Sequence, residues 1–484
     1  MSLSGALSNA LSGLTVAGRA ASVVSSNISN ALNDGYGRRE LEISTRQTGS
    51  YGGVMINGVV RHVDSRLVGD WRAAGSDVAY AETNAKFFKR MEGLTGTPED
   101  SGSLSGRMAT FENALISSAA RPDLPERLNG VLIAAKDLAE GFTSANDGIQ
   151  KIREEADSEI AATVERANAL LQQVQSLNIS ISKEKNTGGQ TASLMDHRQA
   201  VIDELSEIVP VIEAPRGNGT LALYTPGGAI LIDGTAAKLE FSRTNTITAN
   251  MTRGNGLLSG LTINGVGVNT DSATGPVSGG RLGALFEIRD TLAVESQANL
   301  DTAARDMIER FQDAGMDTTR APGDPGLFTD SGFTFAAADE VGISGRIEVN
   351  AIVDPDKGGE TWHLRAGLGA ATPGSAGEST LLNDMMEALS ARRVPTSAVF
   401  GSTGISAAGL ASSLESIVGA RRNHSEQNLS FASTKESELQ ERLLADGVDT
   451  DEEMQRILLI EQTYAANARI VQTVESMIDM LMRI

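Results

Sequence analysis

The chain has 484 residues, a formal net charge of -21 and no cysteine. Its length suggests about two to four domains, and the lack of cysteine excludes disulfides, thiolate metal sites and a cysteine nucleophile. The acidic charge, without any basic stripe, argues against binding to nucleic acids or anionic membranes. No apolar run reaches the roughly eighteen residues of a membrane span, and the start lacks a basic secretory signal, so these marks alone predict a cytosolic protein.

Residues 1–33 carry a heptad repeat, which predicts a coiled-coil helix. Arg19 is the only charged residue in this range, so the faces outside the seam are uncharged as well. An ordinary amphipathic helix is one interpretation, and a helix contacted on nearly all sides in an assembly is the other. The predicted seam residues are Leu3, Leu7, Ala10, Leu14, Ala17, Ala21, Val24 and Ile28.

The middle of the chain alternates between helical and strand-like periods. Helices are predicted at 145–183, at 194–208 before Pro210, at 282–314 and from Thr380 onward, with a small-residue link at 401–408. Short strands are predicted at 220–224 and 229–232 around a Pro-Gly-Gly turn, and further strand-like sequence at 233–277 and 333–364.

A second heptad repeat ends the chain. Thr450 and Glu453 have the spacing of a capping box, so a helix is expected from about Asp451 to the last residue. Asn467 lies in its seam, either to fix register or partner number or as an ordinary satisfied polar residue. The predicted seam residues here are Ile457, Ile460, Tyr464, Asn467, Val471, Val474, Ile478 and Leu481.

The two terminal helices are expected to bury their seams against each other. All 12 prolines lie between Pro98 and Pro395, so neither end contains a helix breaker. Glycines at 5, 13 and 18 weaken the first helix, since each costs up to about 1 kcal/mol. We therefore expect both ends to be poorly ordered in a free monomer and helical after assembly.

A search for chemistry finds no catalytic, cofactor or metal site. The four histidines are far apart in sequence, and Ser180 to Lys183 matches a Ser-x-x-Lys pattern without its companion motifs. Asp354, Asp356 and Gly358 are reminiscent of a calcium loop, but the twelfth position is Arg365 rather than Glu, so a surface turn is the better interpretation. We expect a protein that is not an enzyme and has no cofactor.

Four groups of segments share the pattern of one known family: Asn27-Ile28-Ser29-Asn30 with Gly35-Tyr36 and Arg38, then 194–198 with 203–206, 279–285 with Arg289-Asp290, and finally 447–454 with 461–469. Together they resemble the flagellar hook-associated protein 1 family. The N-terminal signature is shared with rod and hook proteins, whereas the interior and C-terminal matches favour the hook-associated family. Asn33-Asp34 departs from the Thr-Pro that relatives often have before Gly-Tyr, which weakens the comparison of that turn.

The resemblance implies a structural subunit that forms a ring between hook and filament and is exported unfolded through the flagellar secretion channel. It implies an extracellular location in the flagellum. The implied partners are copies of the chain, the hook protein, a second junction protein (hook-associated protein 3) and a cytosolic export chaperone on the C-terminal helix. A hook or rod protein is the alternative, and a secreted adhesin or enzyme using the β-rich part is a more distant one.

The expected fold is α+β and multi-domain, with a long coiled-coil and helical-bundle scaffold built from both chain ends and an inserted β-rich module. Residues 1–34 with 451–484 would form a polymerisation domain. Residues 35–209 with 281–316 and 398–450 would form the scaffold, and 210–280 with 317–397 the outer β-rich module.

Overall fold

The computed structural model describes residues 3–33, 35–45, 52–270, 274–313 and 315–483. The fold is α+β and mainly helical. Its contacts divide the chain into two compact units. Unit 1 comprises Met1–Ala79, Glu165–Leu239 and Phe431–Ile484, and unit 2 comprises Tyr80–Val164 and Glu240–Ser430.

The helices include very long ones, as a chain with its prolines confined to the middle allows. The longest described helix, α4, has 62 residues and is therefore about 90 Å long at 1.5 Å per residue. The helices are α1 Leu3–Ser29, α2 Ser65–Thr95, α3 Leu104–Ala120, α4 Pro125–Asn186, α5 Ala192–Ile208, α6 Gly280–Glu287, α7 Ala293–Gln312, α8 His363–Ala366, α9 Thr380–Ser390, α10 Ala407–Ala445 and α11 Thr450–Met482.

The strands are short and form small sheets, which are antiparallel wherever the strand pairing is described. Strands β1 and β2 form a hairpin, β3 to β6 a four-stranded sheet in chain order, β7 to β9 a three-stranded sheet, and β10 pairs with β11. The strands are β1 Arg38–Thr45, β2 Val54–His62, β3 Ile212–Pro215, β4 Leu221–Tyr224, β5 Ile230–Asp233, β6 Thr235–Ala236, β7 Leu239–Glu240, β8 Thr262–Ile263, β9 Val266–Gly267, β10 Phe328–Asp330 and β11 Ile347–Val349.

Unit 1 contains the paired helices α1 and α11, the β1–β2 hairpin, α5 and the four-stranded sheet. The hairpin pairs Arg38 with His62 at one end and Thr45 with Val54 at the other, with a bulge after Glu42. A two-stranded hairpin is marginal by itself in water, so its position depends on the helices beneath it. It contacts both α1 and α5.

Unit 2 has a core of fully buried aromatic and aliphatic side chains. Phe111, Phe311 and Phe328 meet with ring centroids 5.3 to 6.1 Å apart, which joins α3, α7 and β10. Also in unit 2, Asp157 and Arg289 form a completely buried ion pair over 2.6 Å. Arg289 lies in a π-helical turn, Ile288–Leu292, that joins α6 to α7.

Most of the predicted elements are confirmed. Helix α5 matches the range predicted before Pro210, strands β4 and β5 match the predicted hairpin, and α6 with α7 fills the predicted helix up to Gln312. Ala314, its predicted last residue, lies outside the described residues, as do Asp34 and Ile484.

Three interpretations of the strand pattern are wrong. The β1–β2 hairpin lies in a range predicted as helical scaffold. Of 333–364, only Ile347–Val349 is a strand, and the rest is mainly turns, because side chains take over the backbone groups: Asp301 accepts hydrogen bonds from the amides of Gly342 and Ser344. The sequence between 241 and 277 contains only two-residue strands among its described residues.

The two compact units cut the chain at other places than the predicted three-part division. Residues 210–239 belong to unit 1, whereas 240–280 and 317–397 belong to unit 2. The three-part division concerns layers in an assembly, and it stays a prediction.

Candidate assembly interface

Helices α1 and α11 pack against each other in antiparallel orientation. Towards the end of α1, Asn27 Nδ2 donates a hydrogen bond to Glu453 Oε2 at the start of α11, over 3.0 Å. Nearer the chain start, a Cβ placed on Gly13 would lie 2.7 Å from the side-chain nitrogen of Asn467. The two contacts are 14 residues apart in each helix, counted backward from 27 to 13 in α1 and forward from 453 to 467 in α11, as antiparallel packing requires. The predicted pairing of the two chain ends is confirmed.

The pair buries only part of the predicted seam. Ala10, Ala17, Val24 and Val474 are buried, whereas Tyr464, Ile478 and Leu481 are 42% to 61% exposed. The seam is thus only partly covered within one chain. The remaining seam residues are partly buried: Leu3, Leu7, Leu14, Ala21, Ile28, Ile457, Ile460, Asn467 and Val471.

Helix α11 exposes large apolar side chains along its whole length. Ten of them are between 42% and 83% exposed, which is far more than scattered surface residues of a monomer. We call this surface the outer face of α11. Its members are Met454, Leu458, Leu459, Tyr464, Ile470, Met477, Ile478, Met480, Leu481 and Met482.

The β1–β2 hairpin covers a second side of α1. The amide of Val54 donates to Ser12 Oγ over 3.3 Å, and the opposite end of the hairpin is held by Asn27. A third side of α1 stays exposed, so one chain does not by itself surround the helix. That side consists of small or uncharged residues at heptad spacing: Ser4, Ser8, Leu11, Thr15, Gly18, Ser22, Ser25 and Ser29.

Asn27 is the centre of a hydrogen-bonded cluster that joins α1, the hairpin and α11, and its own side chain is fully satisfied. Its Nδ2 donates to the carbonyl oxygen of Arg39 (2.9 Å) and to Glu453, and its Oδ1 accepts from the Tyr36 hydroxyl (2.9 Å) and the Arg39 amide (3.0 Å). An asparagine amide has two donors and two acceptor positions, and all four are used. We call Asn27, Tyr36, Arg38, Arg39 and Glu453 the signature cluster.

Glu453 is 0% exposed, and its charge is balanced within this cluster. Arg38 Nε donates to Glu453 Oε1 over 3.1 Å, and Arg456 approaches the same oxygen to 3.6 Å. A buried carboxylate is tolerated only when it is paired and hydrogen-bonded. The cluster therefore depends on residues that are more than 400 positions apart in the chain.

A second carboxylate, Asp196 of α5, holds the hairpin from the other side. Its oxygens accept from Arg39 Nη2 and from Arg61 Nε, each over 2.6 Å, and from the Gly37 amide over 3.2 Å. A Cβ on Gly37 would clash with the Arg61 side chain, so any larger residue at this position would displace Arg61. The Asp196 contacts do not involve the C-terminal helix.

The rest of α5 ties this region to its surroundings in unit 1. Arg198 donates to Asn178 Oδ1 (2.7 Å) and to the Gly219 carbonyl (2.8 Å); burial lowers the pKa of Arg198 to about 10, so it stays charged at neutral pH. Arg72 bridges Asp203 and Glu213, and burial raises the pKa of Asp203 above its usual value. The Leu-x-Asp-x-Arg pattern in α5 is thus a pair of anchors, one for the hairpin and one for the turn before β4.

Sequence reasoning missed the roles of Glu453, Asp196 and Arg61. The predicted capping box at Thr450 and Glu453 does not form, because Asp449 Oδ1 caps α11 by accepting from the amides of Asp451 and Glu452. This leaves the Glu453 carboxylate free to turn inward. The available signal was an acidic residue at a seam position, 453, one heptad before Ile460.

The other candidates for chemistry carry ordinary structural roles. Lys136 Nζ donates to Asp354 (2.7 Å) and to Asp356 (3.2 Å), so an ammonium group occupies the place of a cation in the suspected calcium loop. His363 stacks on Trp362 and contacts the Gly367 carbonyl. Among the described residues there is no cluster suited to hold a metal ion. No helix within the described ranges is long and apolar enough to cross a membrane.

Comparison with known proteins gives two matching family models. Residues 88–328 match the model "Flagellar hook-associated protein FlgK helical domain", and residues 439–484 match "Flagellar basal body rod FlgEFG protein C-terminal". The second match covers the whole of α11, and the first contains α4 and α5.

Curated relatives give the same picture. The chain is 23% identical over 497 aligned positions to flagellar hook-associated protein 1 of Bacillus subtilis, covering 95% of this chain and 94% of that protein. It is 26% identical to the protein of that name from Salmonella typhimurium, over 49% of this chain and 44% of the relative. A solved structure of the flagellar hook junction protein FlgK from Burkholderia pseudomallei shares 20% identity with a TM-score of 0.43, over 54% of this chain and 46% of that one.

Proposed function

This chain belongs to the flagellar hook-associated protein 1 family, and we propose that it is a structural subunit of the bacterial flagellum at the junction between hook and filament. It acts by assembly and not by catalysis. The observation that supports this most is the outer face of α11, where ten large apolar side chains are exposed on a helix that pairs with α1.

The paired terminal helices form the polymerising layer in this proposal. Residues 1–34 and 451–484 pack with the same segments of neighbouring copies in a ring, and with the hook protein and the second junction protein (hook-associated protein 3) on either side. The scaffold and the β-rich module lie further out. The absence of charge along the exposed side of α1 supports close approach by another chain, since no ion has to be desolvated there.

Export before assembly follows from the same surface. An apolar face of this length would aggregate in the cytosol, so we propose that an export chaperone covers α11 until the unfolded chain enters the flagellar secretion channel. A chain without cysteine needs no oxidising step after export.

Electron microscopy of a strain that lacks this chain tests the proposal. The expected result is intact hooks without filaments, restored by the full-length chain. Loss of the hook itself would assign the chain to the hook or rod instead, and normal filaments would refute a role in the flagellar axis.

A further inference from the structure

A heptad seam does not define its own register. The apolar residues of α1 and α11 repeat every seven positions, so sliding one helix by seven residues, about 10 Å, again places apolar against apolar. Antiparallel pairing of the two helices is therefore compatible with several registers as far as the seam is concerned. Something that does not repeat must select one of them.

Two contacts along the pair do not repeat. The first is between Asn27 and Glu453, where a completely buried amide donates to a completely buried carboxylate. The second is between Gly13 and Asn467, where the absence of a side chain on one helix makes room for the side chain of the other. They lie two heptads apart, about 21 Å along the helices.

We propose that these two contacts act together as a register lock, in which Glu453 selects the register by charge and Asn467 selects it by shape. The proposal rests on the proposed function, because it concerns the same paired helices. It gives Asn467 a specific role among the interpretations of a polar seam residue. Its amide donates to the carbonyl of Thr463 in its own helix, over 3.0 Å, so its effect on α1 is steric.

A shift by one heptad breaks both contacts. In one direction Glu453 faces Ala20, which offers no donor to a buried carboxylate, and Asn467 faces Ala6. In the other direction Asn467 faces Ala20, and Ile460 faces the amide of Asn27. In each case Asn467 meets the Cβ of an alanine instead of the space beside Gly13, and a polar group loses its partner.

The register matters for assembly because it determines which residues of α1 lie beside which part of the outer face of α11. A mixture of registers would give copies with unequal surfaces, and a closed ring requires the same surface on every copy. The register lock thus gives every copy the same arrangement of α1 against α11, and therefore the same surface.

Cysteine pairs report the register directly, since the chain contains no other cysteine. The pair A20C/I460C lies halfway between the two lock contacts and reports the observed register, and A6C/L481C reports a shift by one heptad. Each pair is introduced into the full-length chain and treated with a short bifunctional maleimide reagent. We expect the observed-register product to exceed the shifted one by at least about tenfold, as one hydrogen bond to a buried charge would give.

Removing both polar groups should abolish this preference. In the E453L/N467L background we expect the two products in similar amounts, because the seam is then apolar throughout. Exclusive formation of the A20C/I460C product in that background would overturn the proposal, and so would equal amounts in the unaltered background. Absence of both products would overturn the pairing itself.

A second series keeps the test independent of folding defects. G13A should lower the A20C/I460C product by about tenfold, and G13A/N467A should restore it because the space is returned. G18A is the matched control: it adds the same methyl group to α1 with nothing within 4 Å. Failure of N467A to rescue G13A would contradict the steric half of the lock.

These outcomes are separable from the proposed function. Cross-linking uses the purified chain and needs no flagellum. The electron microscopy of the deletion strain, in turn, does not depend on the register of α1 against α11. A chain that lacks the register preference but restores filaments would refute the lock alone.

Discussion

Replacing Asn27 by alanine should uncouple the hairpin and α11 from α1. The side chain is 0% exposed and makes four hydrogen bonds, three to neutral groups and one to the Glu453 carboxylate. A neutral bond contributes about 0.5 to 1.5 kcal/mol and one to a charge about 1.5 to 3 kcal/mol. Allowing for water that enters the site, we expect the free energy of local opening to fall by about 3 to 5 kcal/mol.

Native-state amide hydrogen exchange measures this opening. The Arg39 amide reports directly, since it donates to Asn27 Oδ1, and peptides covering residues 36–45 and 450–460 report the two sides of the cluster. The expected loss corresponds to an increase in exchange rate of roughly a hundred- to five-thousandfold.

Asn30→Ala is the matched control for this experiment. Its amide donates to the Ser26 carbonyl in the last turn of α1 and accepts from Asn33, so the change should stay below about 1 kcal/mol. Equal exchange in the Asn27 and Asn30 variants would refute the view that the signature cluster couples three elements. Unchanged protection at residues 450–460 would show that Arg38 and Arg456 hold Glu453 without Asn27.

Three further predictions concern unit 2. Arg289→Met leaves the buried Asp157 carboxylate without its cation and should lower the free energy of unfolding by about 3 to 5 kcal/mol in urea titration. The double variant D157L/R289M should recover most of that loss, and equal stability of the two variants would contradict this. Phe111→Ala removes a ring that contacts Phe311 and Phe328 and should cost about 3 to 5 kcal/mol, while a loss below about 1 kcal/mol by thermal unfolding would show that the cluster closes over the gap. Burial raises the pKa of Asp301 above its ordinary value of 3.8, so its contribution to stability is complete below the pKa of the unfolded chain and is lost as pH rises through the folded pKa. Relative to Asp301→Asn, the unaltered chain should therefore gain stability in urea titrations as the pH falls from 7 to about 4. A pH-independent difference between the two chains would contradict the shift.

The periodicity of apolar residues was sufficient to predict a helix wherever one helix face packs against one apolar surface. The ranges of α1, α5, α7 and α11 follow from apolar residues at helical spacing, because packing of such a face stabilises most protein helices. The pairing of α1 with α11 was also predictable, since two seams without local partners can be buried together.

Contacts between distant residues were not predictable from local pattern. Nothing near Glu453 indicates that its partner is Asn27, 426 positions away, and its position in an apparent capping box pointed to another role. The β1–β2 hairpin was missed for a similar reason. The backbone of the hairpin is bound at Arg39 by Asn27 of α1, and its side chains Arg39 and Arg61 are bound by Asp196 of α5. The stability of the hairpin therefore comes from α1 and α5 more than from its own sequence.

The strand predictions failed where side chains replace strand partners. In 333–364 the pattern of β-branched residues is strand-like, but Asp301 binds the amides of Gly342 and Ser344, and Asn350 caps a short turn by accepting from the Ile352 amide. Backbone groups that are satisfied by carboxylates and amides have no need of a neighbouring strand.

Truncation of residues 457–484 tests the central claim most directly, because it removes most of α11 and its outer face while keeping the signature cluster at Glu453. The truncated chain is expressed in the deletion strain, and attached filaments are counted by electron microscopy, with the unaltered full-length chain as the positive control. We predict hooks without filaments, while proteolysis and circular dichroism of the purified truncated chain show that the four-stranded sheet and unit 2 stay folded. Normal attachment of filaments by the truncated chain would contradict the account.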